Sequence, residues 1–186
     1  MSARPSPPAR PASAFQGGQS LVETAIVAPV LVLLLLGALN IGIYVTDMLS
    51  AGTASRQGAR LASLLGGGKN VTPSPNTASY DREIVQAVLA SASTMVSANV
   101  TEIDIYQPTT NSDGSYATGG DPADEFNGDG TARGKQTFPL SARNQTLPNE
   151  TPIGVRVVWT FQPPTRVGFG ALTSSQYSVF RAMAVP

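Results

Sequence analysis

From Ala25 to Val45 the chain runs 21 residues without a formal charge, interrupted only by Pro29, Gly37, Asn40, Gly42 and Tyr44. As a helix this stretch measures about 31 Å, close to the hydrocarbon thickness of a bilayer. Its centre, Val30-Leu31-Val32-Leu33-Leu34-Leu35-Leu36, is apolar all round. Such a segment suits lipid or a packed bundle, not a half-wet surface. The remaining chain is too polar to wrap it as a core helix. The sequence therefore predicts a membrane span over about residues 24–45. The apolar section of a secretory signal is shorter, roughly 7–15 residues.

What precedes the span is equally informative. A small-residue pair, Gly17-Gly18, stands before the apolar run, followed by Gln19-Ser20-Leu21-Val22 and a single carboxylate, Glu23. A secretory signal is cut after its apolar segment. Cleavage at Gly18 would instead leave that segment at the new N-terminus, as a retained working part. The new amino group on Gln19 would then lie one helical turn from Glu23, where the two can pair within a chain or between neighbours. The alternative is that Glu23 is only a helix-start charge in the headgroup zone, favoured by the macrodipole. Arg4 and Arg10 precede the span with no acidic residue before Glu23. That asymmetry predicts a cytoplasmic N-terminus, with the rest outside. Tyr44 is expected at the outer interface, and Asp47 is the first charge beyond it.

Beyond the span, Asp47 to Leu65 keeps helical composition. Small residues at Ala51, Ser55, Gly58 and Ala62 share one face, which lets another element approach closely. The helix is expected to continue until Gly66-Gly67-Gly68 stops it, the alternative being a separate helix after a bend near Gly52. Tyr80 to Ala98 reads as a second helix and Val100 to Tyr106 as a half-buried strand. Residues 107–137, polar and rich in Gly and Asp, read as an irregular, mobile loop. Gly154–Phe161 and Tyr177–Val185 read as further strands. The fold class expected is α+β: a long membrane-spanning helix extending into a small outer domain with a second helix and a small antiparallel sheet. The domain reading is 1–18 as a leader to be removed, 19–65 as the N-terminal helix, and 66–186 as the extracytoplasmic domain.

Composition narrows the chemistry. The 186 residues carry zero formal net charge and contain neither Cys nor His. There is no disulfide framework, no thiolate metal site, no basic patch for nucleic acid, and no imidazole base. Glu125 to Gly130 resembles a calcium loop poorly: it begins with Glu, and Gln136 stands at the twelfth position where a bidentate Glu is needed. Asp121 and Asp124 form a carboxylate pair that nothing in the sequence holds in place. Sequons at Asn70, Asn99, Asn144 and Asn149 are weak signals in an Asn- and Thr-rich chain. No catalytic, cofactor or metal residue is assigned, and enzymatic activity is not expected.

The run from Gly18 through Pro29, the leucines after it, Gly37, and Ala54-Ser55-Arg56-Gln57-Gly58-Ala59-Arg60 together resemble the TadE-like family. That family is found among minor pseudopilins of the bacterial tight-adherence (Flp, type IVb-like) pilus system. The resemblance spans about Gly18 to Arg60. It implies cleavage by a prepilin peptidase after Gly18, and it gives Glu23 the role of the glutamate near the start of mature pilins. It implies other pilins or pseudopilins, inner-membrane pilus assembly proteins and the lipid bilayer as partners, and a part in fibre biogenesis and adhesion. Thr24 departs from the pattern, which usually has an apolar or aromatic residue there. The competing reading is an unprocessed single-pass protein that displays a small extracytoplasmic binding domain.

Overall fold

The structure is a computed structural model that describes residues 16–65, 77–143, 148–165 and 170–182. Helix α1 spans Gln16–Leu65 and runs unbroken through Gly52, so the continuous helix is the arrangement adopted. At 50 residues it is about 75 Å long. Helix α2 spans Thr77–Ala92. Five strands follow: β1 (Ala98–Tyr106), β2 (Ala123–Asn127), β3 (Ala132–Gln136), β4 (Pro152–Phe161) and β5 (Leu172–Arg181). They form one antiparallel sheet in the order β3-β2-β1-β4-β5. The α+β class read from the sequence is the observed one.

Side chains alternate across a strand. Ile103 and Ile105 of β1, and Val155 and Val157 of β4, face the helices and meet Ala54, Ala59 and Ala62 of α1 and Ile84, Val85 and Val88 of α2. The helices cover one sheet face, and α1 lies across β4 and β5 as well as against α2. The small residues of α1 are what allow this. Ala51, Ser55, Gly58 and Ala62 are all buried, so α1 approaches the sheet closely, with only small side chains of its own between.

Three expectations are corrected. The stretch 107–137 is not one irregular loop, because it contains β2 and β3. Its turn, Asn127 to Thr131, is closed by Asn127 N–H donating to Thr131 O at 2.8 Å and by Gly130 in the left-handed region at φ +84°. This turn lies in the weak calcium-loop resemblance; there the Asp129 carboxylate accepts from Thr131 N and Oγ1. Helix α2 ends at Ala92, short of Ala98. Ser93 and Thr94 turn their hydroxyls back onto the carbonyls of Ala90 and Ser91, the competition that makes such residues poor helix formers. Strand β5 begins at Leu172, earlier than Tyr177, because it pairs along the whole of β4, from Phe161↔Leu172 to Pro152↔Arg181. The Gly66–Gly68 stop signal and the residues after Ala182 in the expected last strand lie outside the described residues.

Candidate functional site: a helix with a bare half and a docked half

Helix α1 divides into two physically different halves. From Ser20 to Leu35 every residue is exposed, although most are Leu, Val, Ile and Ala. In the most apolar window of this helix only 6% is buried. A core helix of a soluble domain would be covered, so this half presents hydrocarbon to its surroundings. Gly18 and Gln19 lie in the first turns of α1, and Glu23 follows on the exposed part. Thr24 donates from Oγ1 to Ser20 O at 2.8 Å, which satisfies its hydroxyl within the helix backbone. Pro29 lies inside the bare half and withholds one backbone donor.

The second half is fixed to the domain by polar groups as well as packing. Asn40 is fully buried and donates from Nδ2 to Thr165 Oγ1 at 2.6 Å. Asp47 is fully buried too. Its Oδ1 accepts from Val96 N at 2.7 Å and its Oδ2 from Ser97 N at 3.0 Å. A carboxylate of α1 therefore caps the turn between α2 and β1. Tyr44, expected at a lipid interface, packs on Trp159 and Phe161, each ring centroid 5.4 Å away. Ser55 and Ser178 share a hydroxyl hydrogen bond at 3.0 Å, tying α1 to β5. Arg56 and Arg60 stay exposed on the opposite side.

Two ionic clusters of the folded domain were not evident from the sequence. Arg143 is fully buried beside Asp81 of α2 (2.6 Å) and Asp124 of β2 (2.9 Å), and it also donates to Phe138 O at 2.9 Å. Phe138 N donates to Asp124 Oδ1 at 2.9 Å. Burial pushes the Asp81 carboxyl up to about 6, with Arg143 pulling against it. The second cluster lies on the sheet face away from the helices. Arg156 bonds Asp104 through Nε at 2.7 Å and reaches Glu102, which Arg133 also contacts. Burial likewise raises Asp104 to about 6 against the pull of Arg156. A cavity of about 430 Å³ opens on this face, lined by Asp104, Asp121, Glu125, Lys135 and Arg156. Asp121 is held there by Lys135 Nζ at 2.9 Å, whereas Asp124 points to the helix side, so the structure separates the two carboxylates.

Residues 18–60 match the family model described as TadE-like protein. The TadE-like segment begins at the Gly18-Gln19 pair, includes Glu23 and the whole bare half, and ends at Arg60 on the docked half. It takes in Ala51, Ser55 and Gly58 of the small face, but neither α2 nor any strand. No curated protein and no solved structure matches the chain. The match suggests a component associated with the tight-adherence pilus, and one long apolar helix near the N-terminus fits a single-pass membrane protein of such a system.

Proposed function

We propose that this protein is a minor pseudopilin of a bacterial tight-adherence (Flp) pilus assembly system, contributing to fibre biogenesis and adhesion. The observation that carries the reading is the coincidence of the TadE-like segment with a helix bare in its first half and docked in its second. A chain built this way keeps its apolar half available to lipid and to neighbouring helices, and it carries a folded domain rigidly on the same helix. In this reading α1 holds the chain in the inner membrane with the N-terminus in the cytoplasm, a prepilin peptidase removes residues 1–18, and Glu23 serves assembly. The role is structural and needs no cofactor.

Intact-mass measurement on protein from cells with and without a prepilin peptidase tests it. The expected result is loss of residues 1–18 only when the peptidase is present, with Gly18→Lys blocking the loss because a long charged side chain does not suit a site selecting a small residue. A mass that still includes Met1–Gly18 with the peptidase present would favour the alternative, an unprocessed single-pass protein displaying its outer domain.

A further inference from the structure

Asn40 marks the level at which the outer domain reaches α1. Before it, Ser20 to Leu39 comprises 20 residues, about 30 Å of helix, which is the thickness of the hydrocarbon core. Asn40 Nδ2 bonds Thr165, which follows Pro163-Pro164 in the connection from β4 to β5. Tyr44 lies about 6 Å further along the axis and carries Trp159 and Phe161 against it. The interfacial layer on each side of the core is roughly 5–8 Å deep. The base of the domain and this aromatic cluster therefore fall at headgroup depth when α1 spans the bilayer.

The exposed side of α1 agrees with that depth. Ile41, just past the edge of the hydrocarbon core, remains 58% exposed beside the domain. After Glu23, Asp47 is the next charge on α1 and it is buried, so the first exposed charge past Glu23 is Arg56. An exposed apolar surface that runs from the bare half into Ile41 marks a membrane or protein contact. Its continuity with the bare half favours lipid over a separate partner.

We propose that the outer domain stands directly on the bilayer, with the β4–β5 connection at Pro164 and Thr165 and the Tyr44–Trp159–Phe161 cluster in the headgroup layer. This rests on the membrane reading of α1, and the test separates the two. Trp159 is the single tryptophan and the chain has no cysteine, so both native emission and single-site labels report one position. The full chain is placed in phosphatidylcholine vesicles whose acyl chains are brominated either near the headgroup or near the chain end. Trp159 and a bimane label on Pro164→Cys should lose more emission to the shallow bromines, and a label on Leu31→Cys more to the deep ones. If Leu31→Cys is quenched and the other two are not, α1 is inserted but the domain is held off the lipid or covered by another copy, and the proposal is overturned. If Leu31→Cys is not quenched by either lipid, the membrane reading itself fails and the seating with it.

Discussion

Gly58 of α1 and Val88 of α2 leave no room for a side-chain carbon between them: a Cβ built on Gly58 would stand 2.4 Å from Val88 Cγ2, and 3.1 Å from Val155 Cγ1 of β4. Two elements converge on one backbone position, and Val88 and Val155 are fully buried, so neither can step aside cheaply. Glycine in a helix interior normally costs stability relative to alanine, by up to about 1 kcal/mol. Here close approach outweighs propensity.

Gly58→Leu should therefore destabilise the folded domain by about 3 kcal/mol, the upper part of the usual overpacking range. Gly52→Ala is the comparison, since a Cβ there meets only Arg56 Nη2 at 3.9 Å. It should be neutral or stabilising by up to ~1 kcal/mol. Urea unfolding of both variants checks this, and equal midpoints for the two would refute the close-packing account.

The buried Arg143 makes a second prediction. Arg143→Met leaves Asp81 and Asp124 facing each other with no cation, which should cost about 3–5 kcal/mol at pH 7. Without the guanidinium, burial and the Asp124 charge favour the protonated Asp81 carboxyl still more strongly. The loss should therefore shrink as pH falls to 5, where protonation removes the charge. Unfolding midpoints at the two pH values decide it; a loss independent of pH means the packing of the Arg stem, not its charge, is what matters.

Asp104 gives a titration of definite sign. Burial raises its folded-state value from 3.8 to about 6. A raised carboxyl binds its proton more tightly in the folded state, so its contribution to stability is fully present below the unfolded value and is lost as pH rises through about 6. In Asp104→Asn that dependence is absent. The melting temperature of the wild type minus that of the variant should increase as pH falls from 7 to 5. Asp81 and other groups remain in both proteins and largely cancel. A flat difference would mean that Arg156 holds Asp104 ionised throughout that range.

The parts of this fold legible in the sequence are those whose signal is local. The apolar run of α1, its small face at Ala51, Ser55, Gly58 and Ala62, and the alternation of β4 depend only on neighbours along the chain. Strands β2 and β3 were hidden because their pattern is tertiary. Asp124 reads as a solvated loop residue, yet it is buried by Arg143, 19 positions away. All of β3 is exposed, so no alternation is written into Ala132–Gln136. Asp47 read as the first charge past the membrane, and its buried role appears only when the turn at Val96 and Ser97 folds back against α1. Gly18, Gln19 and Glu23 are singled out by their order before the apolar run alone, and their roles are a proposal that the prediction below puts to the test. The small face was legible as a contact surface, but the elements that fill it, α2 and the sheet, could be named only from the structure.

The last prediction concerns Glu23, which lies on the exposed part of α1 in the apolar half. We propose that after cleavage its carboxylate pairs with the amino group of Gln19, in its own chain or a neighbour, during assembly. The motive is cost: lipid disfavours a charged carboxylate by about 2.5–3.5 kcal/mol at mid-membrane on insertion scales, and less near the interface. A helix that exposes only apolar surface for several turns from Ala25 on would keep the charge there for a return. Glu23→Gln preserves size and removes the charge, so membrane insertion should be at least as good and cleavage after Gly18 should be normal. Assembly alone should suffer, read as reduced piliation and surface adhesion when the variant replaces the native protein in a deletion strain. If the Gln variant restores both in full, the pairing is wrong, and Glu23 is a helix-start charge held at the membrane surface by the macrodipole of α1.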